Sequence, residues 1–262
     1  MDVSMTVGRV GRPLLGVAVF VGALLIWELW ARAEDSFLVP PMTEVLDRAW
    51  EVWPTADFLT EVAASLKRLA AGLVIGAAIG ITIGLLMGAS RSSRRGLEPL
   101  VELLRATPPI AIVPAFIVVL GFGDTMRIGV IAFGVCFPVL VHTFEGVRAV
   151  SPEVRDTASM LHVGGAERVF RIYLPAALPS IAAGLRVAIS IGLVLVVLSE
   201  FVGEGGGLGH YILDQQGQFN VPEMYAGILF LGLVGYALNR GFVLVERRVL
   251  AWHYGAAGDP AR

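Results

Sequence analysis

Six long apolar stretches, each almost free of charged side chains, constrain this sequence more than any other feature. A helix that crosses the hydrocarbon layer of a membrane needs about 20 such residues. Since 56% of the 262 residues are apolar and only 16% are charged, an ordinary water-soluble fold is excluded. The sequence predicts an all-α polytopic membrane protein, a single domain over residues 1–262 with six transmembrane helices. The predicted spans are residues 14–31, 69–89, 106–123, 128–144, 178–199 and 224–245.

The distribution of Lys and Arg predicts which way the spans face. Arginines cluster between the second and third spans and between the fourth and fifth, whereas residues 200–223 contain no basic side chain. Cytoplasmic segments of membrane proteins carry the excess of basic residues. Both termini are therefore predicted to lie in the cytoplasm.

Four ionisable residues at or near membrane depth are candidates for the translocation pathway, because a charge there is costly and is kept for a reason. Lys67 and Arg68 precede the second span on its predicted outer side. They either snorkel to the interface or face inward and attract an anion. Arg186 lies within the fifth span and Glu200 closes it. For Arg186 the alternatives are an internal ion pair and a part in gating.

The second span carries five glycines at intervals of four residues, which places them along one side of a helix. They are Gly72, Gly76, Gly80, Gly84 and Gly88. Such a seam lets another backbone approach closely. We interpret it as a helix-packing surface, either within one subunit or at a subunit interface.

Three prolines interrupt the third span, namely Pro108, Pro109 and Pro114. Each removes an amide donor and breaks the helical hydrogen-bond ladder, which lipid-exposed helices tolerate badly. The prolines either shape a kink or mark a broken helix that lines the translocation pathway.

The predicted cytoplasmic loop at residues 148–175 is too organised to be a tether. Its apolar residues recur every three or four positions, the period of one helix face. This stripe consists of Val154, Ala158, Leu161, Gly165, Val169 and Ile172. Two short helices are predicted, with a bend at Gly164 and Gly165 and an end at Pro175. The segment is either an interfacial helix lying on lipid or a docking element for a soluble partner.

The chain offers no motif for catalysis or for nucleotide binding. It has no phosphate-binding loop, since the glycine-rich run at residues 203–209 leads to no lysine. Its four histidines lack metal-ligand spacing, and its single cysteine, Cys136, cannot form an internal disulfide. A net charge of −2 gives no basic field for nucleic acid. We expect a chain that is not an enzyme and that binds no metal, cofactor or nucleic acid.

A short pattern in the cytoplasmic loop resembles a known one. Asp156, Thr157 and Ala158 are followed by a glycine and then by Leu-Pro-Ala-Ala-Leu-Pro at residues 174–179. This pattern resembles the EAA loop of permease subunits of bacterial ABC importers. Within that superfamily, three runs are similar to the branch that imports nitrate, sulfonates and taurine. They are SLKRLAAGLVIGAAIGITIGLLMG, PPIAIVPAFIVVLGFGD and FPVLVHTFEGVRAVSPEVRDTA.

The resemblance implies a type I ABC importer permease fold with a coupling helix that inserts into a cleft of an ATPase subunit. Asp156, Thr157 and Ala158 stand where the family has Glu-Ala-Ala. His162 stands where the family usually has glycine, so the bend is expected two residues later. The implied coupling residues are Asp156, Thr157, Ala158, Leu161, His162, Gly164, Gly165 and Pro175.

The resemblance also implies partners and a solute. ATP and Mg would be bound by separate ATPase subunits, and a periplasmic or lipid-anchored substrate-binding protein would deliver the solute. A second permease copy would complete a homodimer, surrounded by lipid in a bacterial inner membrane. The solute would be a small oxyanion such as nitrate, taurine or an alkanesulfonate, or alternatively a nitrogenous vitamin precursor. An ion-coupled secondary transporter is disfavoured, because no Asp or Glu lies at the centre of a span.

Overall fold

The computed structural model describes residues 11–34, 36–203 and 205–252, and these ranges contain helices and no strand. The predicted cytoplasmic termini and the ends of the predicted domain lie outside the described residues. The helices are α1 (Gly11–Glu34), α2 (Met42–Val52), α3 (Ala56–Ala89), α4 (Arg91–Ala106), α5 (Val113–Leu120), α6 (Asp124–Arg148), α7 (Pro152–Met160), α8 (Gly165–Arg168), α9 (Leu174–Glu200), α10 (Leu208–Gly217) and α11 (Val221–Val249). A 3-10 turn (Pro109–Ile112) precedes α5, and a π turn (Val169–Tyr173) joins α8 to α9.

Five helical stretches among the described residues are long and apolar enough to cross a membrane. They are Gly16–Glu34, Ala56–Ala89, Asp124–Arg148, Gly165–Glu200 and Val221–Val249. A sixth stretch passes the same test only when α4 is combined with Pro109–Leu120, and these two parts are bent by 93°.

The bend lies at the start of the third predicted span, residues 106–123. Thr107 is extended (φ −81°, ψ 122°), because the residue before a proline is pushed out of the helical region. Pro109 then begins the 3-10 turn, and Pro114 lies in the first turn of α5, where a missing amide costs no helical hydrogen bond. The prolines therefore redirect the chain at helix starts.

Contacts divide the chain into two compact units, the smaller of which combines the chain up to Leu59 with Tyr211–Phe230. Val45, Ala49 and Ala226 form its buried core. Its aromatic side chains pack edge to face, as is favourable for aromatic pairs, and Trp27 contacts Tyr225 with ring centroids 5.6 Å apart. This unit contains α1, α2 and most of α10, together with the first residues of α3 and of α11.

The larger unit combines Thr60–His210 with the chain from Leu231 onward. It contains the five spaced glycines of α3 and the predicted cytoplasmic loop at residues 148–175. Its core is formed by α3, α6 and α9. Leu69, Val135 and Val196, one from each helix, are buried in the same apolar cluster.

The five glycines of α3 lie against α6 along the length of both helices. A Cβ added at Gly76 or Gly80 would lie 2.5 Å from a backbone carbonyl oxygen of α6, and one added at Gly84 would lie 2.7 Å from another. The opposing residues advance along α6 in step with the glycines, from Ile131 near Gly72 to Val147 near Gly88, so the two helices run parallel. The glycines of α3 therefore form a packing surface within one chain, which is one of the two interpretations of the sequence.

Candidate functional site

The segment that the sequence predicts as a docking element, called the docking segment below, consists of α7, the turn at residues 161–164 and α8. One arginine holds α7 against the core of the larger unit. Arg155 donates to the carbonyl oxygens of Val147 and Val150, at 2.7 and 3.1 Å. Its guanidinium also lies over the ring of Tyr173, 5.6 Å from the ring centroid. Carbonyls at the end of a helix have no partner within it, so Arg155 ties α7 to the end of α6 and to the chain that enters α9.

A left-handed residue, His162, ends α7 with φ of 51°. The amide of Val163 donates to the carbonyl of Ala158 at 3.0 Å, and the amide of His162 donates to that of Ser159 at 3.1 Å. This pair of bonds is a Schellman motif, whose left-handed position is usually glycine. The expectation that the bend moves two residues along is wrong. These two bonds end the helix at His162, and histidine is among the residues that tolerate this conformation.

Two of the most exposed side chains of the docking segment are apolar. Met160 and Leu161 are 79% and 72% exposed. Asp156 and Thr157 are exposed on α7, whereas Ala158 is buried at 3% and packs α7 onto the protein. The segment therefore presents an apolar tip beside one carboxylate and one hydroxyl group.

The prediction of a single apolar stripe through the docking segment is wrong. Val154 and Leu161 are exposed, while Ala158 between them is buried. The turn at His162 changes the direction of the helix axis, so residues before and after the turn do not share one helical phase. Leu161 already lies outside α7 as its C-cap residue, with ψ of 6°, and it faces away from the core.

Gly164 and Gly165 are exposed, and a Cβ at either position would meet open space. Gly164 precedes the first residue of α8, which then continues through the π turn into α9. The expected helix end at Pro175 is wrong, since Gly165–Glu200 forms one membrane-length stretch. Pro175 lies in the first turn of α9, where the π turn before it interrupts the regular hydrogen-bond ladder and accommodates a residue without an amide.

A carboxylate lies at the start of α7. A hydrogen bond with the Ser151 side chain lowers the pKa of Glu153 below its ordinary value. Glu153 is in the first turn of the helix, where a negative charge also interacts favourably with the helix dipole. The start of α7 is therefore negatively charged at neutral pH.

The opposite end of α9 holds a buried polar cluster. Arg68 and Glu200, which are 4% and 0% exposed, form an ion pair at 2.7 Å. The hydroxyl of Ser65 donates to Glu200 at 2.8 Å, and Nε of Arg68 donates to Asp124 at 2.7 Å. Snorkelling of Arg68 is therefore wrong, because its guanidinium is satisfied by carboxylates inside the protein. Lys67 remains exposed.

Residues 205–209 of the glycine-rich run close over this cluster with their backbone. The carbonyls of Gly205 and Gly206 each accept from Arg68 at 2.8 Å. The amide of Gly209 donates to Glu200 at 2.9 Å. Loop carbonyls therefore satisfy the cation, while a loop amide satisfies the anion.

Glycine is required where the loop passes closest to the cluster. Gly206 and Gly207 have φ of 68° and 111°, conformations that other residues rarely adopt. A Cβ at Gly206 would lie 2.6 Å from a carboxylate oxygen of Glu61, to which the amide of Gly207 donates. The repeated glycines are thus explained by close approach to carboxylates of the protein.

Sequence reasoning missed several members of this cluster, including Glu61, Ser65, Asp124 and Arg127. Arg127 is 1% exposed and donates to the carbonyl of Gly205 at 3.2 Å. A usable signal existed, because a run of glycines beside a carboxylate at a helix end provides backbone groups that charged side chains can use. The absence of a following lysine excludes only a phosphate-binding loop.

Arg186 makes its ion pair away from the cluster around Arg68 and Glu200. It forms an ion pair with Glu246 of α11, within the same unit. Of the two alternatives for Arg186, the structure supports the internal ion pair. Among the residues that the structure describes, no group of three or more His, Cys, Asp or Glu side chains could hold a metal ion.

Comparisons with known proteins show which family the chain belongs to. The family described as binding-protein-dependent transport system inner membrane component matches residues 76–251. A Bacillus subtilis protein whose name assigns it to aliphatic sulfonates transport as a permease is 32% identical, over 85% of this chain and 80% of its own. The bicarbonate transport system permease protein of Synechococcus elongatus is 32% identical, over 90% and 89%. The nitrate import permease protein of Synechocystis sp. is 28% identical, over 92% and 90%.

Two solved structures have the same fold. The inward-facing methionine ABC transporter matches with a TM-score of 0.64 and 18% identity, over 73% of this chain and 95% of that chain. A bacterial alginate ABC transporter, solved in complex with alginate pentasaccharide-bound periplasmic protein, matches with a TM-score of 0.61 and 17% identity, over 92% and 98%.

Proposed function

Because this chain belongs to the family of inner membrane components of binding-protein-dependent transport systems, it is a multi-pass permease subunit of an ABC importer, and we propose that it imports a small oxyanion. The observation that carries the choice of solute is the set of relatives. Permeases named for aliphatic sulfonates, bicarbonate and nitrate share 28–32% of its residues over most of its length. These three solutes share a compact group of negatively charged oxygens.

The docking segment is proposed as the contact for a separate ATPase. Leu161 and Met160 supply an exposed apolar tip of the kind that inserts into a groove, and Asp156 and Thr157 flank it. Arg155 supports this role from below, because it couples any displacement of α7 to the ends of α6 and α9.

Helix α9 offers a mechanical link between the two ends of the larger unit. The stretch Gly165–Glu200 begins in the docking segment and ends in the cluster around Arg68. We propose that ATP binding on the partner moves the docking segment and thereby loosens or closes the outer cluster. Such a switch requires the ATP-bound partner to prefer one state by a few kcal/mol, since a partner with equal affinity for both states shifts nothing.

The complete importer is proposed to contain two permease copies, two ATPase subunits with ATP and Mg, and a substrate-binding protein on the outer side. The distribution of basic residues supports cytoplasmic termini and a cytoplasmic docking segment. A homodimer is the simplest arrangement of two permease copies, because oligomers of identical subunits are usually symmetric.

The test of coupling uses Leu161→Asp in the chain co-purified with its ATPase. A charge placed in an apolar groove should weaken the docking of the ATPase by about 2 kcal/mol or more, roughly 30-fold in affinity. Affinity is measured by titrating the ATPase against the permease in detergent. Leu38→Asp is the matched control, because Leu38 is a similarly exposed leucine between α1 and α2.

Equal affinities for the Leu161 variant and the wild type would contradict the docking role. The solute is tested separately, by ATP-dependent uptake of nitrate, bicarbonate, taurine and an alkanesulfonate into proteoliposomes that also contain the binding protein. Uptake of an uncharged or cationic vitamin precursor, and of none of these anions, would contradict the oxyanion proposal.

A further inference from the structure

A basic cavity lies beside the docking segment, in the larger unit. Its volume is about 560 Å³, and its lining includes Arg91, Arg94, Arg148 and Arg155 with one carboxylate, Asp156. Among the residues that the structure describes, no other acidic side chain lines it. The cavity is thus strongly biased towards a negatively charged occupant.

Internal ion pairs do not neutralise this cavity. Arg94 pairs with Glu98 at 3.0 Å and Arg148 with Glu145 at 3.9 Å, and both pairs are partly exposed. Exposed pairs of this kind contribute little binding energy, so an incoming anion can compete with them. Even when both glutamates are included, the arginines outnumber the nearby carboxylates.

The position of the cavity corresponds to the edge of the membrane. Two parallel spans end there, α3 at Ala89 and α6 at Arg148, and α4 begins at Arg91. The arginine clusters place this end of the spans on the predicted cytoplasmic side. Basic pockets between membrane helices at this level bind the headgroups of anionic lipids.

The remaining lining suits a lipid better than a free anion. Met87, Phe144 and Val150 contribute apolar surface next to the arginines. The ring of Phe144 also holds two of the guanidinium groups, those of Arg94 and Arg148, at 5.3 and 5.4 Å from its centroid. Phosphate oxygens can therefore face the guanidinium groups while the glycerol and upper acyl chain contact the apolar side.

We propose that this cavity binds the phosphate headgroup of an anionic phospholipid, next to the docking segment. The site does not depend on the proposed solute, but it adjoins the proposed ATPase contact, because Asp156 belongs to both. Arg155 and Asp156 both belong to α7. A lipid bound in the cavity would therefore contact this helix directly and restrict its movement. The lipid would then lie beside the helix that is proposed to move when the ATPase binds ATP.

The test is the binding of phosphatidylglycerol to the full chain in an uncharged detergent, compared with phosphatidylcholine. Affinity is obtained from the rise in the thermal unfolding midpoint as lipid is added, because a ligand of the folded state raises that midpoint. The wild type should bind phosphatidylglycerol more tightly than phosphatidylcholine. The double variant Arg91→Gln/Arg148→Gln should lose about 10- to 30-fold in affinity, since each arginine near an anionic headgroup contributes about 1 kcal/mol.

The matched control is Arg95→Gln/Arg105→Gln, which removes the same charge from α4 but changes no residue of the cavity lining. This control should change affinity by less than about threefold. Arg91→Lys/Arg148→Lys should retain part of the binding, because lysine keeps the charge but lacks the planar guanidinium group. Equal losses in the two glutamine double variants would overturn the proposal, as would equal binding of the two lipids.

Two further arms distinguish other occupants. If inorganic phosphate, at the same phosphate concentration, raised the midpoint as much as phosphatidylglycerol does, the lipid assignment would be overturned in favour of a free anion. If the Arg91→Gln/Arg148→Gln variant bound lipid normally but no longer bound the ATPase, the cavity would be a protein contact, which also overturns the proposal.

Discussion

At the residue scale, His162 is strained where it ends α7. The left-handed conformation costs a residue with a Cβ on the order of 1 kcal/mol relative to glycine. The Schellman bonds from Val163 and His162 nevertheless close the helix there. Helix α7 thus ends in a strained turn, directly after the exposed Leu161.

Replacing this histidine tests the strain. His162→Gly should stabilise the turn by up to about 1 kcal/mol, because glycine adopts the left-handed conformation without a steric penalty. The measurement is hydrogen exchange of the Val163 amide, which should slow by up to fivefold. His162→Ala is the control, and it should exchange at least as fast as the wild type. Faster exchange in the glycine variant would contradict the account.

The buried ion pair supplies a second residue-scale prediction. Glu200→Gln leaves Arg68 buried without its closest buried carboxylate, which should cost on the order of 3 kcal/mol of stability. Thermal unfolding in detergent provides the readout. Asp124→Asn should cost less than about 1 kcal/mol, because the Asp124 side chain is 66% exposed. Equal destabilisation by the two variants would show that burial does not govern this cluster.

Packing at the scale of whole helices depends on the seam between α3 and α6. Gly80→Ala should destabilise the fold by about 1–3 kcal/mol, because the new methyl group would lie 2.5 Å from the carbonyl oxygen of Cys136 and neither backbone can move freely. The unfolding midpoint of the purified chain measures this. Gly232→Ala in α11 is the control, since a Cβ there meets open space. A neutral Gly80→Ala would mean that the helices are further apart than described.

The spacing of residues along the sequence predicted the packing sides of helices well where a single continuous helix is involved. The four-residue spacing of the glycines predicted one packing side of α3, because regular helix geometry fixes which residues share a side. The same reasoning failed across residues 148–175, since a periodic pattern assumes one continuous axis and the turn at His162 breaks it. Pro175 was misjudged for a related reason, because a π turn before it cannot be read from the sequence.

The polar cluster was predictable only in part. Arg68 and Glu200 were recognised as candidates from their depth in the membrane, but their pairing depends on contacts between residues 132 positions apart. Ser65 and Asp124 were missed because isolated polar residues near helix ends are common on protein surfaces. Only the packing of α3, α6 and α9 brings them together.

At the scale of the whole molecule, the permease depends on a partner for energy. The part of the chain that the structure describes is helical, and its sequence contains no phosphate-binding loop. The stretch Gly165–Glu200 joins the docking segment to the cluster around Arg68 and Glu200. Movement of one end is therefore expected to reach the other through a continuous helix.

The most direct test of this account is solute accumulation in proteoliposomes that contain an internal ATP supply and an external binding protein. We predict no accumulation with the permease alone, accumulation against a gradient when the ATPase is added, and loss of that accumulation with Leu161→Asp but not with Leu38→Asp. Accumulation against a gradient by the permease without any ATPase would contradict the account.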